Sequence, residues 1–134
     1  MALIGLRGSN HDLLLRAFEK RSLILDCANC ANPHSLFPEI PYEKFHDVFV
    51  LEVEIIYKFR DTLKEMDRIM QSIRAERLIV TPFDRLFYYD DEKERENVLE
   101  HAWELMKGIS KRYDVYVGVK KQEDNARRYC DKVI

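Results

Sequence analysis

Ala2-Leu3-Ile4-Gly5-Leu6-Arg7-Gly8-Ser9-Asn10-His11-Asp12, followed by Leu13-Leu14-Leu15, reads as a short apolar strand, a glycine-containing loop and the opening of a helix. A phosphate-binding loop has this arrangement: a Gly, four residues, then Gly-Lys and Ser or Thr, set between strand and helix. Gly5 and Gly8 fit the pattern, but Asn10, His11 and Asp12 stand where Gly, Lys and Ser/Thr belong. The Lys would neutralise the β- and γ-phosphates and the hydroxyl would hold Mg²⁺. Asp12 instead brings negative charge toward a polyphosphate. Two readings are open on this segment alone: a phosphate loop that has lost its chemistry, or a glycine-containing turn with no nucleotide ancestry.

Outward from this loop, strands alternate with helical patterns. A helix is expected over 12–20. Leu23-Ile24-Leu25, ending in Asp26, is a continuous apolar run of the kind buried on both faces of a sheet. Residues 27–46 hold three of the four prolines and read as a long loop with one helical turn. Val48-Phe49-Val50-Leu51 is the next buried strand. Leu63, Met66, Ile69, Met70 and Ile73 recur at helical spacing and form the core stripe of one helix. Leu78-Ile79-Val80 is a fourth strand, stopped by Pro82. The charged stretch Tyr89–Glu96 precedes a helix carrying Val98, Leu99, Ala102, Leu105, Met106 and Ile109, with Trp103 flanking its core side. Val115-Tyr116-Val117-Gly118-Val119 is a fifth strand. The polar tail 120–132 leads to Val133-Ile134, the start of a sixth. Such alternation calls for a mainly parallel sheet covered on both faces, and one domain over residues 1–134.

Composition sets the bounds. The chain has 134 residues, 46% hydrophobic and 34% charged, which is globular rather than disordered. A formal charge of -2 gives no general drive toward nucleic acid. No apolar run approaches the ~18 residues of a membrane span, and no leader pattern is recognised. No membrane partner and a cytoplasmic location are therefore expected. Cys27, Cys30 and Cys130 make no even disulfide framework, which fits a reducing compartment. Cys27-Ala28-Asn29-Cys30 is a CxxC, but Asn32-Pro33, Pro38 and Pro41 follow it where a thioredoxin-type site needs a helix. A zinc site would need two more ligands, and Cys130 and His34 match no standard spacing. No metal and no cofactor are expected, and redox or zinc chemistry at Cys27 and Cys30 is the outside alternative.

In a parallel sheet, ligands bind beyond the carboxyl ends of the strands. The exits to inspect are Gly5–Asp12, Asp26–Asn29, Val53–Ile56, Thr81–Arg85 and Val119–Gln122. Taken in order, these exits resemble the ATPase core of the RecA/RadA recombinase superfamily, with the small archaeal RadB-like and KaiC-like ATPases nearest in character. Gly5–Asp12 falls at the P-loop. Leu23-Ile24-Leu25-Asp26-Cys27-Ala28-Asn29 is similar to the strand ending in Asp-Thr-Glu. Arg77-Leu78-Ile79-Val80-Thr81-Pro82-Phe83 is similar to the Walker B strand, with Leu86-Phe87 as the apolar pair after it. The closing segment Asn125–Ile134 resembles the family's last small-residue, Asp and strand pattern. The resemblance spans nearly the whole chain. It implies a three-layer α/β/α RecA-like P-loop NTPase fold, with five core strands in the order 3-2-4-1-5.

The departures carry the functional expectation. His11 and Asp12 replace the P-loop Lys and hydroxyl, Ala28 stands at the catalytic Glu, and Pro82 (or Thr81, one residue earlier) stands at the Walker B Asp. Lys120 and Lys121 occupy the place of the γ-phosphate-sensing Gln, with Gln122 out of register. Phosphate neutralisation, metal binding and water activation are lost together, and that electrostatic stabilisation is most of phosphoryl-transfer catalysis. Asp26 and Asp84 are the carboxylates left at strand exits. The expectation is a non-catalytic, RecA-like pseudo-ATPase that binds another protein or itself, as an accessory of a DNA-repair or recombination ATPase. A remnant nest of backbone N–H groups, with Arg7, is a candidate anion contact.

Three alternatives stay open: an unconventional nucleotide-binding ATPase using His11, the redox or zinc protein, and a DNA-binding accessory. For the last, Lys120, Lys121, Arg127 and Arg128 are the candidate contacts, with Glu123 and Asp124 among them. Tyr88 and Tyr89 have rings able to stack on bases, while Asp90, Asp91 and Glu92 would repel a phosphate backbone. His46 and His101 read as ordinary boundary or surface histidines, and Glu52 and Glu54 as a polar strand end.

Overall fold

Apolar runs without alternation become central strands because both of their faces are covered. The computed structural model describes residues 1–36, 38–87 and 91–134, with the side chains of Pro33 and His34 outside the description. The described strands are β1 (Leu3–Leu6), β2 (Ser22–Cys27), β3 (Val48–Val53), β4 (Arg77–Val80), β5 (Asp114–Gly118) and β6 (Lys132–Val133). They form one six-stranded sheet in the order β3-β2-β4-β5-β1-β6, and every neighbouring pair is parallel. All residues of β2 and β4 are buried.

The helices are α1 (Asn10–Ala17), α2 (Ile56–Lys64), α3 (Met66–Ile73), α4 (Glu92–Ile109) and α5 (Glu123–Tyr129). One core unites α1 with the sheet through Leu13, Leu14, Ala17, Ile24 and Ile79, joined by Leu36 from the segment between β2 and β3. The other packs α2, α3, α4 and α5 against Leu25, Leu78, Val80, Val115 and Val117. Helices therefore flank the sheet on both faces.

Several expectations need correction. The sheet has six strands rather than five, and β5 lies between β4 and β1, not beyond β1. Each crossover from β3 to β4 to β5 steps the same way, so β5 docks in the next free place beside β4 without passing over β1. β6 then reaches the far side of β1, where Asp131 N donates to Leu3 O and Ile134 N to Gly5 O, both at 2.8 Å. The run at β3 is an edge strand, half-exposed, rather than one buried on both faces. The single helix expected around Met66 is two, interrupted at Glu65. The loop 27–46 holds two 3-10 turns, Pro33–Leu36 and Tyr42–Asp47. The polar tail contains α5, whose one buried residue, Ala126, is too sparse a pattern to show in sequence. Trp103 does not flank the core. It is 0% exposed, 5.6 Å from Phe83 and stacked on Tyr129.

Among the described residues, no helix is long and apolar enough to cross a membrane.

Candidate functional site

β1 and β2 send the chain to one face of the sheet, while β4 and β5 send it to the other. Neighbouring strands whose exits diverge open a crevice at their carboxyl ends. A cleft of about 470 Å³ lies there, lined by Asn10, Asn29, Cys30, Pro82, Asp84, Arg85, Lys120 and Lys121. Its walls thus come from the exits of β1, β2, β4 and β5.

The β1 exit is short. Gly5 lies inside the strand, paired with Val117 and Val133, and a Cβ there would meet Val119 at 3.1 Å and the Cys130 Sγ at 3.3 Å. Only Arg7, Gly8 and Ser9 connect β1 to α1, and no glycine has a positive φ. A nest of successive N–H groups needs alternating right- and left-handed residues, so this connection does not form the expected nest. Ser9 caps α1 by accepting from Asp12 N at 3.2 Å. A side chain at Gly8 would meet the Asp12 carboxylate at 3.0 Å. His11 turns to Glu39, 3.1 Å away, and Arg7 pairs with Glu123 at 3.0 Å. Of this segment only Asn10 lines the cleft, its amide 3.4 Å from the Cys30 carbonyl.

At the β2 exit the Asp26 carboxylate, 1% exposed, accepts from Cys30 N at 2.7 Å and Ala31 N at 2.9 Å. These bonds hold a tight turn in which Ala28 and Asn29 both take left-handed backbone angles, φ 58° and 54°. Asn tolerates this region and Ala does so at a cost. Asp26 is therefore a turn-former, committed to backbone rather than to a cation.

At the β4 exit, Thr81 Oγ1 accepts from Cys27 N at 2.7 Å and lies 3.4 Å from Leu25 O, which welds β4 to β2. Pro82 is buried against Gly118, where a Cβ would meet the proline ring at 2.6 Å. Asp84 lines the cleft, and its Oδ1 is buried with no hydrogen-bond partner among the described residues.

At the β5 exit, Lys120 and Lys121 are exposed on the cleft rim. Gln122 accepts from Asn125 at 2.9 Å and lines a neighbouring groove instead. Arg127 pairs with Glu123 at 3.2 Å and Arg128 with Glu100 at 3.6 Å, and of the four basic residues only Lys121 and Arg128 line the neighbouring groove together. Tyr88, Tyr89 and Asp90 lie outside the described residues.

The Mg²⁺–nucleoside triphosphate that the resemblance implies does not fit these residues. His11 is spent on Glu39, Asp12 adds negative charge, Thr81 is spent on backbone, and Pro82 and Ala28 carry no ligand atom. The cysteines are free thiols. Cys27 is buried, and burial raises its pKa far above the ordinary range; burial also pushes Cys130 up to about 11. A reactive thiolate needs the opposite environment. Among the described residues, no group of three or more His, Cys, Asp or Glu converges as a metal cage.

Arg85 carries no motif of its own in the sequence. Its signal was position alone, at the end of the β4 exit.

No protein-family model and no curated protein matches this chain.

Proposed function

We propose that this chain is a non-catalytic α/β module of RecA-like ancestry that works by binding protein, through its β3 edge, as an accessory of a recombination- or repair-type ATPase. The observation that carries the reading is β3 itself. Val48-Phe49-Val50-Leu51-Glu52-Val53 ends the sheet with no strand on its outer side among the described residues. Val50 is 43% exposed, and Ile55 just beyond is 62% exposed. Edge strands are ordinarily blunted by Lys, Pro or a bulge, because their free N–H and C=O groups template pairing. β3 has no Lys and no Pro, and pairs with β2 in unbroken register over its six residues. Such an edge accepts an added strand from another chain.

Self-association is the directly testable form. Light scattering over a protein concentration series is expected to show a mass rising above the monomer, and Val50→Lys is expected to remain monomeric. In cells, proximity capture is expected to recover a recombinase-type ATPase with the native chain and to lose it with Val50→Lys. Val50→Lys behaving as the native chain in both measurements would overturn the reading. So would ATP turnover with Mg²⁺ that Gly8→Asp abolishes.

A further inference from the structure

The cleft at the strand exits has a charge pattern that the protein-binding reading leaves unused. Many basic side chains here are paired with carboxylates, among them Arg7, Lys20, Arg77, Lys107, Arg127 and Arg128. Arg85, Lys120 and Lys121 have no ion pair among the described residues, yet all three line this one concavity. Asp84 is the sole carboxylate on its described wall, so the side chains carry a surplus of positive charge. Asn10 and Asn29 add amides, and the Asp26-braced turn fixes the backbone at Asn29. A volume near 470 Å³ is within the usual range for a small-molecule site.

We propose that this cleft binds a small phosphate ester without a metal ion. Arg85 supplies the planar fork suited to phosphate oxygens, and the two lysines supply point charges. Mg²⁺ has no place in this scheme, because side-chain cations do the neutralising. Asp84 sets the selectivity: its carboxylate repels bare orthophosphate and accepts from a hydroxyl on the organic part of an ester. The site therefore favours a phosphorylated, hydroxyl-bearing compound over inorganic phosphate. It uses none of the β3 residues, so it stands or falls apart from the protein-binding reading.

The test is calorimetric titration of the purified chain with ribose 5-phosphate in EDTA, with inorganic phosphate and sulfate in parallel. Saturable binding of the ester is expected, weakened at least about tenfold in Lys120→Ala/Lys121→Ala and in Arg85→Ala, and by less than about twofold in Arg127→Ala/Arg128→Ala. Asp84→Asn is expected to narrow the preference for the ester over inorganic phosphate. Half-buried Cys30 lines the cleft, and its alkylation rate is a second readout that saturating ester should slow. No saturable binding, binding that requires Mg²⁺, or equal losses in the Arg127/Arg128 control would each overturn the proposal. So would a single-stranded oligonucleotide that Lys120→Ala/Lys121→Ala and Arg85→Ala release and that the ester does not displace, which would make the cleft a nucleic-acid contact.

Discussion

Pro82 and Gly118 show how one close contact between the exits of β4 and β5 is built into the packing. The proline ring occupies the space a side chain at Gly118 would need, with its Cδ 2.6 Å from an ideal Cβ there. Leu13 closes the same space at 3.0 Å. Neither a proline ring nor a central strand yields easily, and overpacking of a dense interior ordinarily costs about 1–3 kcal/mol. Gly118→Ala is therefore expected to destabilise the protein by about 2–3 kcal/mol. Pro82→Ala in the same chain is expected to return part of that loss. Urea denaturation of the two single variants and the double variant measures the coupling. A double variant no more stable than the sum of the singles predicts would show that the contact does not govern the cost.

At the scale of elements, α4 is the main cover of the sheet's larger core. Its N-terminus is set by Asp91, which accepts from Glu94 N at 3.1 Å, and Glu92 and Glu94 suit the positive end of the helix dipole. Val98, Ala102, Trp103 and Met106 face inward, and Trp103 binds α4 to Phe83 after β4 and to Tyr129 on α5. Its indole N–H has no hydrogen-bond partner among the described residues, so its contribution there is packing. Trp103→Ala is expected to cost about 3–5 kcal/mol. Trp103→Phe should cost well under half as much, because it keeps an aromatic ring and removes the unsatisfied donor. Thermal melts of both variants check the order. Trp103 is the only tryptophan, so native emission should be blue-shifted and move red on unfolding.

Across the whole molecule, one polar cluster ties the amino ends of the central strands to α1. Arg77, 6% exposed, donates to Arg16 O and Glu19 at 2.9 Å, reaches Asp114 at 3.3 Å, and lies over the Tyr116 ring. Lys20 donates to Asp114 at 2.5 Å. The Lys20 hydrogen bond, aided by Arg77, holds the Asp114 carboxyl below its usual range against the opposing effect of burial. A folded-state pKa below the unfolded one adds stability that is present at neutral pH and is lost as pH falls through the lowered value. Asp114→Asn should therefore reduce stability by about 2 kcal/mol at neutral pH. The difference from the native chain should shrink as pH falls through the lowered folded-state value and close where the carboxylate is protonated in both states. Urea midpoints across that range test it, and a pH-independent difference would assign the cost to packing instead.

Periodicity and apolar runs by themselves determine much of this protein's architecture. The parallel α/β class, the places of β2, β4 and β5, and the core stripes of α3 and α4 follow from local pattern, because burial on two faces or one leaves a mark on neighbouring residues. The absence of Lys and hydroxyl at His11 and Asp12 is equally plain in the chain. What pattern does not encode is which strand neighbours which, since strand order depends on crossovers between distant segments. Only the fold placed β5 between β4 and β1, made β3 an edge, turned His11 to Glu39 and buried Pro82 against Gly118. It also paired Arg127 and Arg128 with carboxylates, left Lys120 and Lys121 without an ion pair among the described residues, and put those lysines on the same cleft as Arg85. The glycine loop after β1 is a three-residue connection with Gly5 inside the sheet. Its identity was local, but its surroundings come from residues more than a hundred positions away, and charge and packing act through space rather than along the chain.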